Sequence, residues 1–276
     1  MFKTVSIKAK LFKAYLKGIK HPSKVRIQNL VGKVLFPKGL VLHNEQGVSF
    51  RLDANDWITR TLIQEGDYEA KSTKLSRKIL EKGGWFVDIG ANFGLFTCIS
   101  AHKNNKVRVL AIEPNYKVIP RLLNNIRINM LEGNVKIINA AVSKASHILT
   151  LEQAASNNLG TTTTRVDING FLSVLSCSLE FILEEFKVTD IELLKLDVEG
   201  NEFDILEEFP FNKFQVKNII LEFNNLSKIS FPNLISFFEK RGFKSYSVSG
   251  EQLLNDENGI EEDNILFINQ NNLIDN

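Results

Sequence analysis

Five short apolar runs in this chain of 276 residues each end on a side chain able to do polar chemistry: Asp88, Glu113, Asn139, Asp197 and Glu222. A carboxylate there can accept hydrogen bonds from a diol, pair with a cation or take up a proton, and an amide can fix a neighbouring carbonyl. Taken singly, each is also an ordinary turn or helix-cap residue. What makes them candidates is that all five occupy the same kind of position. Asp88 opens the stretch Asp88-Ile89-Gly90-Ala91-Asn92-Phe93-Gly94, where two glycines sit at the join between an apolar run and a helical one. Such a turn lets a ligand or the following helix come close to backbone.

The ligand can be narrowed from the residue types. The dinucleotide fingerprint G-x-G-x-x-G needs a glycine where Asn92 stands. A carboxylate at Asp88 would also repel a pyrophosphate at short range. Glu113 ends the second run, where an acid can hold the two hydroxyls of a ribose. A nucleoside with a positively charged end fits both observations, and S-adenosylmethionine, with its ammonium and sulfonium, is one. A nicotinamide-dependent oxidoreductase and a catalytically silent nucleoside-binding scaffold are the competing readings.

The block Lys195-Leu-Asp197-Val-Glu199-Gly-Asn-Glu202 supplies candidate reactive groups. Lys195 and Asp197 are two residues apart, hence on one side of a strand, and a salt link would fix the carboxylate's position. Asp197 is the first candidate to orient an acceptor or take its proton, and Glu199 the second. The plainer account of Glu199 and Glu202 is that they oppose the positive end of the next helix. Asp197 and Glu199 could instead hold a divalent metal, which two carboxylates without a third ligand do not indicate.

These side chains need a scaffold that brings distant strand ends together. After the run at Trp85, strands are expected over 106–114, 135–139, 191–197 and 217–223, with amphipathic helical stretches between them. Two closing strands, FKSYSVSG and DNILFIN, complete a seven-stranded set. The alternation predicts an α/β, doubly wound, mostly parallel sheet with an antiparallel edge hairpin, and ligands at the carboxyl ends of its strands. Residues 1–66 form a basic extension with a small β-hairpin over about 33–60, and 67–276 form the main domain, which begins with a helix around 70–82. The threonines at 161–164 are expected in a polar loop.

Composition excludes several classes. Cys98 and Cys177 are far apart and the four histidines are scattered, so neither a disulfide framework nor a zinc cluster is spelled. No apolar run is long enough to span a bilayer and no secretory leader is legible, which points to a cytoplasmic protein. Residues 1–44 carry ten Lys and Arg and no acid. With Leu11, Tyr15 and Leu16 at helical spacing, this segment could lie on an anionic inner membrane surface, or pack on the domain with its lysines in water. It carries no nucleic-acid motif, and no nucleic acid is expected as a partner.

The motif series DIGANFG at 88–94, EP at 113–114, AAVS at 140–143 and KLDVEGNE at 195–202 resembles that of the FkbM-type methyltransferases. Tyr68-Glu69 ahead of the first strand is similar to a tyrosine-acid pair usual there, whereas Asn201 and Leu179-Glu180 depart from the pattern. The resemblance implies a class I, Rossmann-like fold and methyl transfer from S-adenosylmethionine to a hydroxyl of a sugar, glycan or small natural product. It further implies that Asp88, Gly90, Ala91, Asn92 and Gly94 hold the methionine part of the cofactor, and Glu113 with Pro114 the ribose. The backbone at Ala141 and Val142 would line the adenine, and Tyr68 and Glu69 would close over the pocket.

Overall fold

A computed structural model describes residues 2–4, 6–18, 24–54, 56–153, 162–164, 172–198, 200–254 and 264–273. Its central sheet has seven strands: β1 (Gly84–Ile89), β2 (Val107–Ile112), β3 (Val135–Ile138), β4 (Asp190–Leu196), β5 (Gln215–Glu222), β6 (Phe243–Ser247) and β7 (Asn264–Asn269). Across the sheet they run β6-β7-β5-β4-β1-β2-β3. All neighbours are parallel except β7, which is antiparallel to both β5 and β6. The seven-stranded α/β sheet is therefore as expected, and the chain reverses its direction of travel between β1 and β4. Ligands of such sheets bind at that reversal, beyond the carboxyl ends of the strands.

The central strands β1, β2 and β4 are mostly apolar runs because both faces are covered. Phe86, Val109, Ala111 and Leu193 belong to one buried cluster, while Val87, Leu110, Ile112 and Leu194 belong to the other. Helices Leu95–Ala101, Ile119–Ile128, Leu179–Glu185, Glu202–Glu207 and Phe231–Glu239 lie where the amphipathic stretches stood. Helix Ala70–Ile79 runs into a short tight turn at Leu80–Lys82 just before β1.

The basic extension holds more structure than a hairpin. Strands Leu40–His43 and Ser49–Leu52 pair as expected, and Lys3–Thr4 adds a third strand. Helices Ile7–Gly18, Lys24–Leu35 and Trp57–Gln64 accompany them; most of Lys24–Leu35 lies where the sequence suggested no element, and Trp57–Gln64 begins inside the stretch expected as hairpin. The extension is locked to the main domain by one helix. Asn129 and Asn125 accept the backbone N–H groups of Ser49 and Arg51 at 2.8 Å each, and Arg121 reaches Asp53 and Asp56 at 3.1 and 3.0 Å. The ring of Phe50 stands edge-on to Phe93 with centroids 5.9 Å apart, so the two parts share a core. In the first helix the inward residues are Ala9, Phe12 and Leu16, and Leu11 points outward with Ile7.

A third sheet lies after β3, built from Ala141–Val142, His147–Gln153, Thr162–Thr164 and Leu172–Cys177. Thr162–Thr164 thus form a strand, paired antiparallel with Leu151–Gln153, where a polar loop was expected, and Thr161 lies outside the described residues. β-Branched threonine suits a pleated strand, and that preference outweighed the polar composition of the stretch. Among the described residues no helix is long and apolar enough to cross a membrane.

Candidate functional site

The parallel register of β1 and β4 sets Lys195 directly beside Asp88. Lys195 is only 2% exposed, and its ammonium donates to Asp197 Oδ2 at 2.9 Å and lies 4.0 Å from Asp88 Oδ1. It also stands 4.6 Å from the centre of the Phe96 ring, an attractive contact for a cation. Burial alone would push its pKa down, but the charges of Asp197, Asp88 and Glu69 outweigh that and raise it above the ordinary lysine value. A buried ammonium is tolerated here only because several acids share it.

Asp88 is closed off behind this lysine. It is 1% exposed, accepts the Thr97 hydroxyl at 2.6 Å through Oδ2, and its Oδ1 is buried with no hydrogen bond. Burial raises its pKa, with Lys195 and Thr97 opposing. The cation nearest Asp88 is therefore supplied by the chain itself. Asp197, with 30% of its side chain exposed, is the member of the cluster that reaches the mouth.

Glu69 joins the same group from the segment before β1. Its carboxylate accepts Asn264 Nδ2 at 3.2 Å and a hydrogen bond from Tyr68. Burial pushes its pKa up to about 7, against the pull of Lys195. Tyr68 and Glu69 are thus brought to the end of β4, from more than a hundred residues away in the chain.

The turn after β1 shows why its glycines are there. Gly90 has φ +80°, and a Cβ on it would sit 1.9 Å from the carbonyl oxygen of Asp197. Gly94 has φ +88°, and a Cβ there would press on Leu122 at 2.7 Å. Close packing of the β4 exit and of helix Ile119–Ile128 explains both positions, where the sequence raised a ligand or the following helix. The N–H groups of Gly90 and Ala91 both donate to Ile112 O, which ties this turn to the end of β2.

Glu113 completes the mouth. Its two oxygens accept the N–H groups of Asn92 and Asn115 at 2.8 Å each, and it is 6% exposed. A carboxylate has about four acceptor positions, so about two remain for a ligand. Burial pushes its pKa up to about 7 despite the two donors. Asn139 braces the neighbouring turn, donating to the carbonyls of Glu113 and Pro114.

Glu202 is a structural acid. Its Oε1 accepts Val198 N and Gly200 N at 2.9 and 3.1 Å and so closes the turn that follows Asp197. Glu199 lies outside the described residues. Ala141 and Val142 are buried and pair in parallel with Ser176–Cys177, on the β3 side of the mouth. No group of three or more potential metal ligands converges among the described residues.

The sequence matches the methyltransferase FkbM domain over residues 88–245, which runs from the last residues of β1 into β6 and takes in the glycine turn, Glu113 and the Lys195–Asp197 pair. The chain belongs to the FkbM methyltransferase family. A relative, the hexuronic acid methyltransferase AglP of Haloferax volcanii, is 28% identical over 165 residues, which is 60% of this chain and 64% of that protein's length. Solved structures of similar fold include a methyltransferase FkbM from Methylobacillus flagellatus KT, at 14% identity over 67% of this chain and 43% of that one, TM-score 0.43. Another is an O-methyltransferase from Bacillus cereus in complex with SAH, at 12% identity over 73% and 81%, TM-score 0.44.

In this FkbM-family chain, three members of the cluster were not singled out by sequence reasoning. Thr97 and Phe96 sit one helical turn beyond the glycine turn, in a buried helix where nothing local marks them as site residues. Asn264 begins the last strand, and nothing local marks it as the partner of Glu69. Only the antiparallel pairing of Glu222 with Asn264 carries it to the mouth.

Proposed function

We propose that this protein transfers a methyl group from S-adenosylmethionine to a hydroxyl of a sugar, glycan or small natural product. The observation that carries the reading is the convergence of Glu113 and the Lys195–Asp197 pair at one mouth within the matched domain. The residues fit the cofactor's chemistry. Glu113 offers about two acceptor positions suited to ribose hydroxyls, and the inner acids outnumber Lys195, which favours a ligand with a positive end. Asn92 and Gly94 would border its methionine part, and Ala141 and Val142 its adenine.

When bound, the cofactor supplies an activated sulfonium methyl. The chain's task is then to hold the acceptor oxygen in line, an orientation effect worth about 7–11 kcal/mol. Asp197 would accept a hydrogen bond from the acceptor hydroxyl and take its proton as the new C–O bond forms and the S–C bond breaks. A positioned base of this kind typically adds about 100- to 10,000-fold. Lys195 acts through Asp197 by fixing its carboxylate from below. The hexuronic acid methyltransferase relative supports a sugar acceptor. The outward Ile7 and Leu11 near exposed lysines support a peripheral membrane contact.

The test is calorimetric titration with S-adenosylmethionine and S-adenosylhomocysteine, then a screen of uronic acids and other polyols for methyl transfer. Asp197→Asn should bind the cofactor normally and lose about 100-fold or more in turnover. Normal turnover by Asp197→Asn would remove its assignment, and failure of both S-adenosyl compounds to bind would remove the reaction.

A further inference from the structure

At the opposite end of the strands, where β1 and β2 begin, a cavity of about 580 Å³ lies between the ends of helices Ala70–Ile79 and Leu95–Ala101. Five permanent cations line it, Lys74, Arg77, Lys78, Lys103 and Lys106, against one acid, Glu81. Helix C-termini attract cations, which accounts for a residue such as Lys78. It does not account for two inner nitrogens. Arg77 and His102 are among the residues that line this cavity, and Arg77 Nη1 and His102 Nε2 are buried beneath its surface with no hydrogen bond to the protein. Ser76 and Ser100 bond each other at 3.0 Å and knit the two helices beneath it. The hairpin turn of the extension borders the same spot, since a methyl on Gly47 would stand 3.7 Å from His102 Nε2 and 3.8 Å from Lys103 Nζ.

Desolvated donors among converging cations are costly unless an acceptor meets them. We infer that this cavity is a binding site for a phosphoryl group, held by Arg77 and His102 within the lysine rim. The guanidinium fork suits tetrahedral oxyanions, and the imidazole can donate from Nε2. The site is separate from the methyl-transfer mouth. β1 has six residues at about 3.3 Å each, which puts its two ends about 20 Å apart. A small acceptor cannot span both, so the phosphoryl group belongs to a second ligand, either a soluble phosphorylated compound or a lipid headgroup. The inference stands independently of the proposed reaction.

The test is titration of the full chain with inorganic phosphate in a low-salt chloride buffer, followed by calorimetry and by the histidine ring-nitrogen NMR signals. Saturable binding that shifts the His102 signal is expected. Arg77→Gln and Lys103→Gln should each weaken it at least about fivefold, the scale of one charge-assisted contact. Lys103 is exposed, so its variant keeps the test valid if Arg77→Gln misfolds. Lys217→Gln, on β5 and outside the cavity, should leave binding unchanged. Vesicles containing phosphatidate then separate the sources. Vesicle binding displaced by free phosphate assigns the headgroup, and phosphate binding without it assigns a soluble ligand. Absence of saturable phosphate binding, an unmoved His102 signal, or equal weakening by Lys217→Gln would overturn the inference.

Discussion

Replacing Lys195 with methionine keeps the volume and removes the charge, which isolates the electrostatic role of the residue. In the native chain its ammonium is 4.0 Å from Asp88 Oδ1, both groups being 2% or less exposed. Two unit charges at that distance interact by about 4 kcal/mol at an effective dielectric of about 20. Breaking a buried pair by deleting one partner costs about 3–5 kcal/mol, because the remaining charge is stranded. Against a typical total of about 5–15 kcal/mol, that is a large share. The loss should also depend on pH with a definite sign. Burial already raises the Asp88 pKa against the pull of Lys195, and deleting the lysine raises it further. A carboxyl whose folded pKa exceeds its unfolded value makes the folded state bind more protons in that window, so stability falls as pH rises through it. The variant should therefore trail the native protein most at about pH 8 and least at about pH 5. Urea unfolding followed by tryptophan fluorescence at both pH values measures the gap. Adding Asp88→Asn should restore at least about half of the loss, since the stranded charge is then gone. A gap equal at both pH values, or a second substitution that adds its own loss, would refute the view that Lys195 is held by charge.

Gly90→Ala should cost about 3 kcal/mol or more, because a Cβ at φ +80° would meet the Asp197 carbonyl at 1.9 Å, and thermal unfolding reads it directly. Glu202→Ala should cost about 2 kcal/mol or more by leaving two backbone N–H groups without their acceptor, whereas Glu202→Gln keeps an oxygen and recovers most of it. Glu113, with its pKa pushed up to about 7, should favour the nucleoside when ionised, so S-adenosylhomocysteine affinity rises with pH up to about 7 and then levels. Glu113→Gln should weaken that affinity and flatten the profile, as calorimetry across the range would record.

The central strands were legible because they are short apolar runs covered on both faces, and the helices because their apolar stripes recur at helical spacing. The site was legible only where one strand end announced itself. Asp88, Glu113 and Asp197 each follow an apolar run, so their positions followed from the fold class. Their division of labour did not. Nothing local says that Asp88 lies behind Lys195 while Asp197 faces the mouth. That difference arises from the β1–β4 register and from Thr97 covering one side of Asp88. The extension was harder for a related reason. Its helix Trp57–Gln64 is capped by Asp56, whose carboxylate is also engaged by Arg121 from the main domain, a long-range contact with no local trace. The threonine strand was misread because polar composition was weighed above β-branching.

The arrangement around Lys195 also bears on why the mouth should select a cation. Asp88, Asp197, Glu69 and Glu113 act on one another electrostatically, and one lysine is shared among the first three. Burial raises Glu69 and Glu113 to about 7, so near neutrality the cluster holds part of its negative charge in check by binding protons. A cationic ligand at the mouth would relieve that repulsion and lower both values, and the protons would leave as it binds. A dinucleotide pyrophosphate would do the opposite, since it adds charge of the sign already in excess. Under the proposed reading, discrimination between the two ligand classes would therefore rest on the charge balance behind the mouth as much as on the glycines that shape it.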